Sequence, residues 1–253
     1  MGQKDRLDQI KQKIMDERTV TVSLLSKDFG VTEETIRRDL EKLEKRGLLT
    51  RTYGGAIFNS EFMNQHAIHF GQRLNTNLEM KKTIAEKAFS ILTNGNIIGV
   101  DSSSTAMEFV RKIKGDANRT LITNSVSVLF ECLQSDINVL SSGGYLNKSS
   151  LSLQGIGAQN SIMNYHLDVA VISCKAIQIG KGIFDTNENE IAVKQALVRQ
   201  CKTVVLLVDH TKFDQISFIK FMDLEQVNYI ITDKKPSIEW EKFCESQNIQ
   251  LIY

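Results

Sequence analysis

Val31-Thr32-Glu33-Glu34-Thr35-Ile36-Arg37-Arg38-Asp39-Leu40 reads as the opening of a short basic helix, and the rest of the N-terminal region organises around it. Thr32 is a good N-cap, because its hydroxyl accepts a backbone N–H left over in the first turn. Glu33 and Glu34 then suit the positive end of the helix dipole. Ile36, Leu40 and Leu43 recur at helical spacing as the buried stripe, so Thr35, Arg37, Arg38 and Lys42 point elsewhere. Upstream, Ser23 can cap a helix over Leu24–Phe29, which Gly30 ends in the left-handed conformation that glycine adopts cheaply. Leu7, Ile10 and Ile14 predict a first amphipathic helix over about residues 4–16, and β-branched Thr19-Val20-Thr21-Val22 predicts a brief strand.

Two helices joined by a tight Gly-containing turn, the second short and basic, make a helix-turn-helix, whose second helix enters the DNA major groove. After it, Gly47–Ile57 alternates around Gly54-Gly55 and reads as a β-hairpin wing, with Arg51 placed to reach a phosphate or the minor groove. Charge agrees with this placement. The whole chain is only +1, but between Arg37 and Arg51 six Lys/Arg face only Asp39, Glu41 and Glu44. A local basic strip is what phosphate contact needs. Composition alone would allow a merely solvated face. The caps, the Gly30 turn and the basic hairpin together favour DNA.

At 253 residues, with 42% apolar and 24% charged residues, the chain has the make-up of a soluble globular protein. No apolar run approaches the ~20 residues that span a bilayer, and Met1–Arg6 has no secretory apolar stretch. We expect a cytoplasmic protein without membrane contact. Cys132, Cys174, Cys201 and Cys244 are far apart and form no CxxC pair, so neither a disulfide framework nor a zinc site is expected. His66 and His69 have no acidic or thiol ligand nearby in sequence. No metal and no cofactor are expected.

Residues 58–75 show no sustained period, contain Gly71, and read as a connection. A helix follows from about Thr76 to Asn94-Gly95. Strand-like runs then alternate with helical patterns: 96–100, 120–123, 137–140, 167–174, 203–208, 229–231 and 249–252 against 104–113, 125–133, 187–200 and 237–247. Runs apolar on both faces imply a covered parallel sheet. The fold class is therefore α/β: an N-terminal winged helix-turn-helix over 3–58, a linker over 59–75, and a Rossmann-like α/β domain over 76–253.

Ligands of such sheets sit beyond the strand carboxyl ends. Asp101-Ser102-Ser103-Ser104-Thr105 follows a strand and opens a helix, where hydroxyls and free N–H groups make a phosphate cradle. Ordinary N-capping explains the same residues equally well. Thr123-Asn124-Ser125 closes the next strand, Gly143-Gly144 allows close backbone approach after the third, and Lys175 and Lys212 each follow a strand end. Together they converge on a crevice for an anionic, hydroxylated ligand such as a phosphorylated sugar.

The Thr-Ile-Arg-Arg-Asp-Leu core and Leu49-Thr50-Arg51-Thr52-Tyr53-Gly54-Gly55-Ala56 resemble the signature of DeoR-type bacterial regulators. Tyr53 stands where that family usually has histidine, and an aromatic polar side chain can still pack under the wing. The resemblance continues through Asp101–Thr105, Thr123–Ser125, Gly143-Gly144, Asp185–Glu190 with Val193-Lys194, and Asp209–Phe213. It implies a sensor domain similar to ribose-5-phosphate isomerase that answers to phosphorylated sugar or polyol intermediates. Asp185 joins the effector-site candidates on this ground. Ser102-Ser103 replaces the family's usual Ser-Gly, and Ala176 replaces a glycine.

A sugar-phosphate isomerase with a DNA-binding head is the rival reading. Isomerisation needs a carboxylate base, and the isomerases carry an Asp-Gly-Ala-Asp-Glu cluster where this chain has Ile172–Ile177 without a carboxylate. Asp185, Glu188 and Glu190 lie downstream, the glutamates suiting a helix start. We expect no catalytic residues. The expectation is a transcription regulator, a repressor rather than a ligand-activated activator. A homodimer or homotetramer would present Thr32, Thr35, Arg37, Arg38, Lys42 and Arg51 to double-stranded operator DNA.

Overall fold

The structure is a computed structural model that describes residues 6–7, 9–10, 13–14, 17, 19–45, 49–58, 70, 73–92 and 96–253. Gly47, His66, His69, Gly71 and Asn94-Gly95, and most of the expected linker, lie outside the described residues. The chain divides into two compact units, 1–67 and 68–253.

In the first unit, β1 (Thr19–Thr21) leads into α1 (Val22–Phe29), α2 (Glu33–Lys45), β2 (Leu49–Thr52) and β3 (Gly55–Phe58). The cap of α1 is Thr21 rather than Ser23: its Oγ1 accepts from Leu24 N at 3.3 Å, so the helix starts two residues earlier than the sequence suggests. Gly30 ends it at φ 62°, and its N–H reaches back to the Ser26 carbonyl. Described residues of the first helix pattern are helical, and Ile10 and Ile14 pack with Leu25, Ile36, Leu40 and Leu43 in one small core. The wing has a third strand: β1 pairs antiparallel with β3, Val20 opposite Ala56. The hairpin turn is Tyr53-Gly54, and Gly55 already belongs to β3. A Cβ on Gly55 would lie 2.0 Å from the Val20 carbonyl oxygen, so this strand crossing requires glycine. Tyr53 does not pack under the wing. It stands fully exposed at the turn, because Leu49 and Ala56 already fill the inner face.

The second unit is α3 (Leu78–Ile91), β4 (Ile97–Val100), α4 (Ser104–Ile113), β5 (Thr120–Thr123), α5 (Val126–Glu131), β6 (Asn138–Ser141), β7 (Tyr145–Asn147), β8 (Ser152–Gln154), α6 (Ile156–Ile162), β9 (Leu167–Ser173), β10 (Ala176–Gln178), β11 (Gly182–Asp185), α7 (Glu188–Gln200), β12 (Cys201–Leu207), β13 (Ile219–Met222), β14 (Tyr229–Ile231), α8 (Ile238–Ser246) and β15 (Gln250–Ile252). Seven strands form one parallel sheet, β15-β14-β12-β9-β4-β5-β6. All seven expected strands are in it. Val169, Val171 and Leu207 face a core with α3 and α4, while Ala170, Ile172 and Leu206 face another with α6 and α7.

The strand order runs outward from β4 through β5 and β6, then restarts on the other side with β9. That reversal is the topological switch point of a doubly wound sheet, where neighbouring connections diverge and leave a crevice. Two additions escape the sequence pattern: the β7–β8 hairpin, and an antiparallel sheet of β10, β11 and β13. Among the described residues no helix is long and apolar enough to cross a membrane, and no group of three His, Cys, Asp or Glu could hold a metal.

Candidate functional site

The head gathers its candidate residues on α2 and the wing. Thr32 Oγ1 accepts from Thr35 N at 3.3 Å and lies 2.9 Å from Thr35 Oγ1, so the cap also fixes Thr35. With about 100° between successive residues, Arg38 occupies the middle of the exposed arc. Thr35 and Lys42 flank it on one side and Arg37 on the other. The arginines are held over the helix surface by exposed pairs one turn back, Arg37 with Glu33 at 2.9 Å and Arg38 with Glu34 at 3.4 Å. Such pairs contribute under about 1 kcal/mol and yield readily to a phosphate. Arg51, on β2, binds Glu44 of α2 through its backbone N–H (2.9 Å) and its Nε (2.7 Å). Those hydrogen bonds hold the Glu44 carboxyl below the usual range and tie the wing to α2. Asp39, between these arginines and Leu40, points inward, where Arg6 Nε donates to it at 2.7 Å. The Arg-Arg-Asp order therefore puts two cations outside and one structural anion within.

In the second unit a cleft of about 370 Å³ opens at the switch point, beyond the carboxyl ends of β4 and β9. Ser103, Ser104 and Thr105 line one side at the start of α4. Lys175, Lys212 and Arg73 bring positive charge, and Lys194, Asp185 and Glu190 line it as well. Of the expected effector residues, the cleft therefore contains Ser103, Ser104, Thr105, Lys175, Asp185 and Lys212.

The others stand behind it or away from it. Asp101 is buried, accepting from Ser103 N and Ser173 N at 3.0 Å each and from Lys194 Nζ at 2.8 Å, so it braces the cleft floor. Ser102 is buried beside it. Thr123 Oγ1 donates to the Val100 carbonyl, and Asn124 Nδ2 to the Leu153 carbonyl, each spent on holding strands and hairpin. Gly143 and Gly144 are exposed, and neither lines the cleft. Their left-handed backbone serves the hairpin instead, where a Cβ on Gly144 would lie 2.6 Å from the Gln154 carbonyl oxygen.

With Arg73, Ser173, Cys174 and Glu190, the sequence reading left Lys194 out of the site. Its ammonium meets Asp101, Asp185 (3.0 Å) and the Ser173 carbonyl, which uses all three N–H bonds. Burial opposes its charge, but the two carboxylates outweigh burial and hold its pKa above the ordinary lysine value. The same pairing holds Asp185 ionised against its own burial. Neighbouring lysines move the opposite way. Burial, and then the Arg73 charge, lower Lys175. Burial, and then Lys212, lower Lys81 to about 8. Lys81 stands behind the cleft and donates to the Arg73 and Thr76 carbonyls, holding the turn that carries Arg73. Cys174, also at the cleft, is pushed up to about 12 by burial and stays a thiol.

Arg73, Lys175 and Lys212, the last also paired with Asp209 at 3.3 Å, make one place where a compact anion meets positive charge. Hydroxyls and the first N–H groups of α4 complete it. The exposed head, by contrast, presents cations along a helix and a wing, the arrangement of a polyanion reader.

Comparison with known proteins decides the family. Residues 6–62 match the model of the DeoR-like helix-turn-helix domain, and residues 76–234 match that of the DeoR C terminal sensor domain. The chain belongs to the DeoR family. This DeoR-family protein is 38% identical over 216 residues to the HTH-type transcriptional regulator YulB of Bacillus subtilis (strain 168), covering 85% of this chain and 83% of that one. It is 25% identical over 252 residues to the glycerol-3-phosphate regulon repressor of Escherichia coli (strain K12), covering 99% of each. A solved D-ribose-5-phosphate isomerase in complex with phospho-erythronic acid shares 17% identity over 53% of each chain with a TM-score of 0.40. That distant likeness says nothing of activity. The DeoR-family chain is a DNA-binding transcription regulator with a sensor domain, not an enzyme.

Proposed function

We propose that this DeoR-family regulator represses an operon of sugar or polyol catabolism in the cytoplasm and leaves its operator when a phosphorylated intermediate fills the cleft. The observation that carries this reading is the cleft itself: Arg73, Lys175 and Lys212 meeting the Ser103–Thr105 hydroxyls at the switch point of the sheet. A phosphate would take the cations and the α4 N-terminus, and the hydroxyls and Glu190 would meet the sugar. The similarity to the glycerol-3-phosphate regulon repressor of Escherichia coli supports both the direction of control and the ligand class.

On the DNA side Arg38, Thr35 and Lys42 would face the groove and its walls, with Thr32 and Arg37 at the flanks and Arg51 on the wing. Two or four copies would set heads on repeated half-sites. Differential binding of ~1–3 kcal/mol between the two states would change DNA affinity about 5–150-fold. A thermal-shift panel of phosphorylated sugars and polyols, each beside its unphosphorylated parent, tests the ligand class. At least one phosphorylated compound should raise the melting temperature, and its parent should not. No response to any phosphorylated compound contradicts it.

A further inference from the structure

The two edges of the seven-stranded sheet are built in opposite ways. Beside β15, Lys235 pairs with Glu241 at 2.9 Å, the Tyr253 hydroxyl donates to Glu241 at 2.6 Å, and the Lys235 ammonium lies over the Tyr253 ring. Charge at an edge is a device that keeps a strand from pairing with another chain. Strand β6, the other edge, has no such guard. Between Asp136 and Asp168 the sequence holds a single Lys, Arg, Asp or Glu, Lys148, in a chain where 24% of residues are charged.

Exposed apolar side chains collect over the same ground. Phe130 (76% exposed) and Leu133 (73%) lie at and just past the end of α5. Leu140 is exposed on β6 itself. Tyr145 (78%) and Leu146 are exposed on β7, and Ile156 (70%) opens α6. Helices α5 and α6 cover opposite faces of the sheet: Val128 joins one core, and Ala158 and Ile162 join the other. Their outward residues therefore flank the open β6 edge on both sides.

We infer that this edge is the self-association surface of the regulator: β6 lies beside β6 of a second copy across a twofold axis, with these apolar residues packed along the seam. Close to a twofold axis a residue meets its own image, so a charge on β6 would meet its like, and Asn138–Ser141 carry none. From β6 to α6 the patch carries only Lys148 and meets that condition, while at its α5 flank Glu131 is already neutralised by Arg111 and Lys114; interface cores share the exposed aromatics and the scarcity of charge. A partner of different sequence would impose no such condition. The inference rests on the multi-copy reading above.

Sedimentation velocity on the full chain over a wide concentration range tests it, with circular dichroism to confirm folding. Wild type should sediment as a dimer or larger species. Leu140→Lys and Phe130→Glu should each weaken self-association by about 30-fold or more, the loss expected of a central contact. Phe218→Glu, at an equally exposed phenylalanine outside the patch, should leave it unchanged. If Leu140→Lys alters the circular dichroism, Tyr145→Ser probes the same seam from the hairpin. Variants that associate as tightly as wild type overturn the interface while leaving the multi-copy reading intact, and so does dissociation by Phe218→Glu. A monomeric wild type overturns both.

Discussion

The DNA-binding head and the sensor cleft both concentrate cations, but in opposite surroundings. Arg37, Arg38 and Arg51 stand in water, each with a carboxylate partner on the same small surface. Lys194 and Lys81 are withdrawn from water, and their pKa values move in opposite directions, up where two carboxylates face Lys194 and down where burial and then Lys212 act on Lys81. Exposed charge is screened and exchangeable, which suits a long polyanion met and released repeatedly. Buried charge is costly unless matched, which on the proposed reading makes the cleft selective for a compact anion. On the proposed reading one chain uses the same residue types for a grip and for a sensor.

Removing one charge from each side should expose the difference. Lys194→Met leaves Asp101 and Asp185 buried without their counter-ion, and should cost about 3–5 kcal/mol in a urea unfolding titration of the sensor transition. A loss below about 1 kcal/mol would show that the cluster is solvated. Arg38→Ala should move stability by less than about 0.5 kcal/mol. It should nevertheless weaken binding to the DNA upstream of its own gene about 5–150-fold in a gel shift, the range of ~1–3 kcal/mol for such a contact. Unchanged retardation would remove Arg38 from the interface. Lys212→Gln should reverse that pattern, with DNA binding intact and affinity for the stabilising sugar phosphate reduced about tenfold by calorimetry.

The smallest effect concerns pH. Lys81 titrates near 8 in the folded protein, and a bound anion favours its charged form. Binding therefore takes up protons, so anion affinity should fall as pH rises from 7 through 9. A stronger affinity at pH 9 would contradict the electrostatic account.

The head was legible because its signals are local. Thr32, Gly30 and the Ile36, Leu40, Leu43 stripe each declare themselves within a few residues, while the cap of α1, the position of the hairpin turn and the place of Tyr53 differed. The pairing of β1 with β3 was not legible, since 36 residues separate Val20 from Ala56 and only tertiary contact joins them. In the sensor the seven strands of the parallel sheet showed as apolar runs alternating with helical patterns, whereas β10, β11 and β13 stand outside that alternation and pair only through tertiary contact. Half of the effector candidates reached the cleft. Asp101, Thr123 and Asn124 have the right residue types at strand ends, but they turn to brace the fold, which strand position alone does not reveal. Lys194 did leave a signal: it lies three residues from both Ile191 and Leu197, on the buried stripe of α7. Arg73 left none, since its surroundings have no period.

The most direct test of grip and sensor together is fluorescence anisotropy of the upstream DNA bound to the full protein, titrated with the sugar phosphate that stabilises it most. The account predicts a 5–150-fold loss of DNA affinity, absent with the unphosphorylated parent and absent in Lys212→Gln at the same ligand concentration. DNA affinity that does not change on saturation with that ligand, or falls equally with the parent sugar, would contradict it.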